Sequence, residues 1–166
     1  RFCLIEVFLA QGVEELNTRR LCMGRITVHL HGKTKDKAMA TMFETYAQRL
    51  EQRSIKYVIH PNKLVISAYI DKLFQLNGEL MLMDEGGILE SSIAFSKRVE
   101  NWRLSSEDIH LAIGPAEGWP NDDRIATLQR ISLSPMTFPH ELASVMLVEQ
   151  LYRATEISRG SGYHKA

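Results

Sequence analysis

Ser132–Ala166 reads SLSPMTFPHELASVMLVEQLYRATEISRGSGYHKA. It opens as a small polar loop, continues as an amphipathic helix and ends in a glycine-punctuated tail carrying Tyr163, His164 and Lys165. Pro139 suits the first turn of that helix, whose apolar spacing runs to about Ser158. Just upstream, RISLS (130–134) has the pattern of a short strand. The unit is therefore strand, loop, helix, tail. Chain ends usually fray, so an aromatic, an imidazole and a cation side by side at one of them call for a reason.

The same strand-then-helix alternation extends back along the chain. RITVHLH (25–31) alternates and reads as a strand, and IKYVIH (55–60) is a second one, stopped by Pro61. LMLMD (80–84) and IHLAIG (109–114) are continuous apolar runs, as expected of strands buried on both faces. Between them lie helical patterns at 36–53 with Asp36 as N-cap, at 64–76 ending before Asn77-Gly78, at 91–104 opened by Ser91, and a short one at 122–129. Short strands alternating with helices predict an α/β fold with a mainly parallel sheet flanked by helices.

Composition narrows the classes. The chain has 166 residues, 45% hydrophobic and 24% charged, enough to bury one core without metal or disulfide staples. Lys+Arg and Asp+Glu both number 20, which excludes gripping nucleic acid by bulk charge but leaves room for a local basic patch. Cys3 and Cys22 have no partner spacing for zinc and read as reduced thiols, and no histidine pair has metal-ligand spacing. No apolar run is long enough to span a membrane.

Residues 1–22 read differently from the rest. They are too acidic for a good transit peptide, with Glu6, Glu14 and Glu15, and lack a clean signal-peptide site. They are taken as an N-terminal extension of unknown role, ahead of one domain at 23–166. Met23 is either a natural start behind an upstream extension, or the first residue after a targeting or accessory segment.

Ligands of open α/β sheets bind beyond the C-terminal ends of the strands. Three loops leave those ends here: Asp84-Glu85-Gly86-Gly87, the stretch Gly114–Pro120 (GPAEGWP), and Ser134–Pro139. Their glycines let backbone groups approach a ligand, which suits a nucleoside-like cofactor. The spacing matches neither the dinucleotide nor the P-loop glycine pattern.

LAIGPAEG, SLSPMTFPHELASVMLVEQLYRATEISRGSGYHK, LMLMDEGG and HLHGKTKDK…TYAQRL together resemble the RlmH (YbeA/OrfX) family of small SPOUT-class methyltransferases, which methylate N3 of a pseudouridine in large-subunit ribosomal RNA. The resemblance covers 24–166 and is most specific over 133–165. It implies a SPOUT-type trefoil-knotted α/β fold, bound S-adenosylmethionine, a homodimer, ribosomal RNA within the ribosome as partner, and no metal or membrane. It places the cofactor against Met83, Gly114, Gly118 and Leu133, Ser134, Pro135, Met136, Thr137 and Phe138. It makes the closing helix, with Glu149, Gln150, Leu151, Tyr152 and Arg153, an element of the knot and of the dimer. The expected compartment is the cytoplasm, or a plastid or mitochondrion if residues 1–22 belong to a nuclear-encoded organelle protein. Three departures stand out: Pro115 replaces a usual second glycine, Gly87 stands where a lysine is common, and Lys165 takes the place of a usual arginine. They keep open a SPOUT enzyme acting on another RNA base, or a non-catalytic RNA- or ribosome-binding protein of this fold.

Methyl transfer from a sulfonium depends on placing the nucleophile in line. A pseudouridine N3 must also lose its proton, which calls for a base or for stabilisation of the developing anion. The candidate catalytic residues are Tyr163 for stacking, His164 as base, and Lys165 or Arg153 for the anion. A simple Glu149–Arg153 helix ion pair is the plainer alternative for Arg153. Arg130, Arg159 and Lys165 could form a basic patch. Trp119, beside the glycine loop, could cover the cofactor mouth. His29, His31, His60 and His110 are read as packing or surface residues.

Overall fold

The structure, a computed structural model, describes residues 24–163. The readings of residues 1–23, including Cys3 and Cys22, and of His164 and Lys165 lie outside the described residues.

Five strands form one parallel sheet: β1 (Ile26–His31), β2 (Ile55–His60), β3 (Glu79–Leu89), β4 (Ile109–Ile113) and β5 (Gln129–Ser132). Their order across the sheet is β2-β1-β4-β3-β5, with every neighbouring pair parallel. The helices are α1 (Lys37–Glu51), α2 (Ile66–Phe74), α3 (Ser92–Leu104), α4 (Asp123–Ala126) and α5 (His140–Ser158). The α/β class with a parallel sheet is thus as expected. Two caps read from sequence are made: Asp36 accepts from the Met39 N–H and Ser91 from the Ala94 N–H. Each satisfies a donor left free by the first helical turn.

The alternation of side chains along the strands divides the core. Ile26, Val28, Leu30, Met81, Met83, Leu111 and Ile113 pack against α1, α3 and α5. Leu82 and Ala112 point the other way, against Tyr69, Ile70 and Leu73 of α2 and Ile125 of α4. β4 is buried along its whole length, which explains its unbroken apolar sequence. After β5 at the sheet edge, α5 turns back and packs on α1 and α3. Leu147, Val148 and Leu151 are completely buried there.

One sequence expectation is corrected. Asp84-Glu85-Gly86-Gly87 does not end its strand: β3 runs on to Leu89, and both Met83 and Ile88 pair with Ile131, so residues 84–87 bulge out of the ladder. The glycine at 87 has a reason in the packing. A Cβ there would lie 2.6 Å from the Arg130 carbonyl carbon and 2.7 Å from the Ile131 nitrogen, so only glycine lets β3 approach β5 this closely.

On the α2 face, three imidazoles form a hydrogen-bonded chain across β2, β1 and β4. His29 Nδ1 lies 3.2 Å from His60 Nε2, and His29 Nε2 lies 3.0 Å from His110 Nδ1. His110 Nε2 lies 3.0 Å from the Asn77 carbonyl. A carbonyl only accepts, so this nitrogen carries the proton. In the neutral state the rest follows: His110 Nδ1 accepts from His29 Nε2–H, and His29 Nδ1 accepts from His60 Nε2–H. Burial, then the neighbouring His110 and His60, push His29 down to about 3. These histidines were expected to be packing or surface residues; the structure joins the three of them in one network. Among the described residues no group of His, Cys, Asp and Glu is arranged to hold a metal ion.

Candidate active site

The β3 bulge and the loops after β4 and β5 meet at one cavity of about 870 Å³. Met83, Asp84 and Glu85 come from the β3 bulge, Gly114 to Asn121 from the β4 loop, and Leu133, Ser134, Met136, Thr137 and Phe138 from the β5 loop, with His140 and Ala143 of α5 closing one side. Eight of the nine residues expected to touch a cofactor therefore line it: Met83, Gly114, Gly118, Leu133, Ser134, Met136, Thr137 and Phe138. Pro135 is exposed and does not.

Local bonds shape the walls. The Ser132 hydroxyl donates to the Ser134 carbonyl at 2.8 Å, and Ser134 Oγ accepts from the Met136 N–H at 3.1 Å, so the β5 loop is tied to itself. Pro115 sits at the start of a turn closed by the Gly118 N–H donating to its carbonyl at 2.9 Å. That turn uses the oxygen of Pro115, and Gly118 adopts φ +82°, a conformation that favours glycine. The indole of Trp119 donates to the Met83 carbonyl at 3.0 Å and stacks on Tyr69, with rings 8° from parallel and centroids 6.1 Å apart. The Tyr69 hydroxyl donates to the Ile113 carbonyl at 3.1 Å. Trp119 is thus a wall tied to two strand ends. A Cβ on Gly114 would come within 3.1 Å of its indole nitrogen, so glycine keeps this part of the cavity open. Arg130 donates to Asp84 at 2.7 Å and neutralises that carboxylate, leaving Glu85 and Glu117 as lining carboxylates without a basic partner among the described residues.

The proposed catalytic residues occupy a different place. Arg153 Nη2 bonds Glu149 Oε1 at 2.6 Å, so the helix ion pair forms. The same carboxylate oxygen accepts from the Tyr163 hydroxyl at 3.0 Å, and Glu149 Oε2 accepts from Gln150 Nε2 at 2.7 Å. The Arg153 guanidinium lies 5.0 Å from the centre of the Tyr163 ring. The Tyr46 hydroxyl of α1 lies 3.3 Å from that of Tyr163, and Tyr152 packs edge-on against the Tyr163 ring. Tyr163 is thus anchored rather than trailing. Burial, then its bonds to Tyr46 and Glu149, push its pKa up, so it is a hydroxyl donor and not a base at neutral pH. None of Glu149, Arg153 and Tyr163 lines the cavity. Ala143, which does, lies ten residues before Arg153 on α5, or about 15 Å along the axis at about 1.5 Å per residue.

Sequence reasoning missed Tyr46, Glu141 and the Asp84–Arg130 pair. Tyr46 reaches the tail only because α1 packs on α5, and nothing in its own neighbourhood signals that.

A family profile described as "Predicted SPOUT methyltransferase" matches residues 24–164. The chain is 34% identical over 142 residues to ribosomal RNA large subunit methyltransferase H of Prochlorococcus marinus (strain MIT 9515), covering 86% of this chain and 96% of that protein. It is 32% identical to the protein of the same name from Gluconacetobacter diazotrophicus, covering 81% and 93% of the two chains. It is 40% identical over 116 residues to that of Parasynechococcus marenigrum, covering 70% and 69%. With this match along the described residues, and with the β3 bulge and the β4 and β5 loops sharing one cavity, the chain belongs to the RlmH family of SPOUT methyltransferases.

Proposed function

We propose that this protein is an S-adenosylmethionine-dependent methyltransferase of large-subunit ribosomal RNA, that its target is N3 of a pseudouridine, and that it works as a homodimer. The names of its relatives support the reaction and the substrate class. The observation that carries the cofactor is the convergence of the β3, β4 and β5 loops on one cavity.

The cavity fits that cofactor. Its volume lies within the range of about 300–1,000 Å³ usual for small-molecule sites. Met83, Ile113, Leu133 and Phe138 supply apolar wall for a base, while Glu85 and Glu117 supply negative charge for a cationic ligand. Bound there, S-adenosylmethionine supplies a methyl carbon activated by its sulfonium. The chain's own residues position that carbon and handle the proton. Arg153 is available to stabilise negative charge developing on the base edge. Its bond to Glu149 fixes the guanidinium and leaves further N–H donors free. Tyr163 stays protonated and serves as a donor, and His164 is the residue we propose as base.

About 15 Å of helix separates Arg153 from the cavity edge, whereas methyl transfer needs contact at about 3 Å. Two copies resolve the separation if the tail of one protomer meets the cavity of the other. Such an enzyme works where its ribosomes are, in the cytoplasm or, if residues 1–22 belong to a nuclear-encoded organelle protein, in a plastid or mitochondrion. The alternatives, another RNA base or a non-catalytic binder, have no observation in their favour.

Calorimetry with S-adenosylhomocysteine tests the cofactor, and absence of binding would defeat it. Mass spectrometry of ribosomal RNA from cells lacking the protein tests the substrate; unchanged pseudouridine methylation rules it out. The dimer is tested by mixing Arg153→Ala with Gly114→Val, each inactive alone. Recovery of activity on mixing supports a site shared between protomers, and no recovery, with both variants folded and dimeric, contradicts it.

A further inference from the structure

The loops after β1 and β2 carry Lys33 and Lys35 (residues 32–36) and Lys63 (residues 61–65), and Lys37 opens α1 directly after the first loop. All four are exposed, and none is in an ion pair among the described residues. The loops are held together: the Lys33 N–H donates to Asn62 Oδ1 at 2.9 Å, and the Gly32 N–H to the His60 carbonyl at 3.0 Å.

The first loop is also fastened to α5. Glu141 accepts from the Lys35 N–H at 2.9 Å through one oxygen and from the Asp36 N–H at 3.2 Å through the other. Those two N–H groups hold its carboxyl below the usual range. Asp36 in turn caps α1 through the Met39 N–H. Both nearby carboxylates thus accept from backbone N–H groups and form no ion pair with these lysines, whose ammonium groups are left for a partner outside the molecule. Glu141 lies between His140 and Ala143, which line the cavity, so the loop is anchored at the cavity's edge. In a chain of zero net charge, four free lysines at one end of the sheet make a local positive field.

We propose that these two loops form the surface that receives the sugar–phosphate backbone of the substrate RNA. Lys33, Lys35, Lys37 and Lys63 contact phosphates, and Glu141 is the positioning residue that holds the first loop. Phosphate contacts of this kind set register and orientation without reading sequence. The inference rests on the RNA substrate proposed above and adds where that RNA lies. The basic patch expected from sequence, Arg130, Arg159 and Lys165, is not this one: Arg130 is committed to Asp84.

The test uses the full chain, purified ribosomes, which hold the substrate RNA, as probe, and binding measured between about 50 and 200 mM KCl. Each phosphate contact contributes about 0.7–0.9 to the slope of log affinity against log salt. K33Q/K35Q/K37Q/K63Q is expected to lower affinity at least about 10-fold and to reduce the slope by about 3. The all-arginine counterpart should bind like wild type. S-adenosylhomocysteine binding should be unchanged in both, which separates a surface effect from misfolding. Glu141→Ala keeps every lysine but frees the loop, and should weaken RNA binding about 3-fold through the added ordering cost. Unchanged affinity and slope in the glutamine variant would overturn the inference, as would an arginine variant that falls equally far. A wild-type protein that neither retains nor methylates the RNA overturns the functional reading itself.

Discussion

Two polar centres lie on opposite faces of one sheet, and they differ in what they leave open. The His29–His60–His110 chain is closed: a carbonyl at one end sets its polarity, and each internal nitrogen bonds a neighbour. The Glu149 cluster is open. One carboxylate gathers Arg153, Tyr163 and Gln150, all partly exposed, and Arg153 keeps donors to spare. A satisfied internal network supports the fold and resists protonation, whereas a half-exposed cluster with unused donors is suited to a ligand.

The largest expected effect breaks the open centre alone. Arg153→Ala should slow methyl transfer about a thousandfold, about 4 kcal/mol, if the guanidinium stabilises the developing anion. The ion pair it loses is partly exposed, so stability should change by less than about 1 kcal/mol. Single-turnover kinetics beside thermal unfolding checks both; an unmoved rate with a large drop in Tm would erase the distinction.

Next comes the closed centre, read by pH. His29 titrates at 6.5 when unfolded and at about 3 when folded. The unfolded chain therefore takes up the proton first, and stability falls as pH drops from 6.5 towards 3. The deficit at pH 5 should be about 2 kcal/mol from this residue, at about 1.36 kcal/mol per pH unit. Burial, Lys72 and His31 lower His60 as well and push in the same direction. His29→Leu removes the titrating group and should flatten denaturant-derived stability between pH 7 and pH 5. A variant as acid-sensitive as wild type would show that the chain is not the source.

The smallest effect concerns the wall between the histidine chain and the cavity. Tyr69 packs on His31 and His60 on one side and Trp119 on the other. Trp119→Phe keeps the ring and removes the bond to the Met83 carbonyl. Cofactor affinity should fall about 5-fold, about 1 kcal/mol, by titration with S-adenosylhomocysteine. No change would mean that the carbonyl is held without the indole.

Much of this was legible in the residues, and what was missed has a common cause. The caps at Asp36 and Ser91, the buried runs of β3 and β4, and the cavity residues from Met83 to Phe138 all depend on neighbours in sequence or on a rule about strand ends. The reason for Gly87 was not legible, because it is the backbone of β5, more than forty positions away. Tyr46, Glu141 and the histidine chain were missed for the same reason. His29, His60 and His110 come together only once register sets three strands side by side.

The sequence by itself determined the alternation of strands and helices, their class, the loops that build a cofactor cavity, and the family. Periodicity, capping and local motifs are short-range properties, and they are written residue by residue. Only the tertiary structure decided which polar side chains meet. It closed three histidines into a directed chain and clamped a lysine loop with Glu141. It also set Arg153 and Tyr163 about a helix half-length from the cavity they are proposed to serve. Those pairings join residues up to 117 positions apart. They depend on strand order and helix packing, which no local pattern encodes.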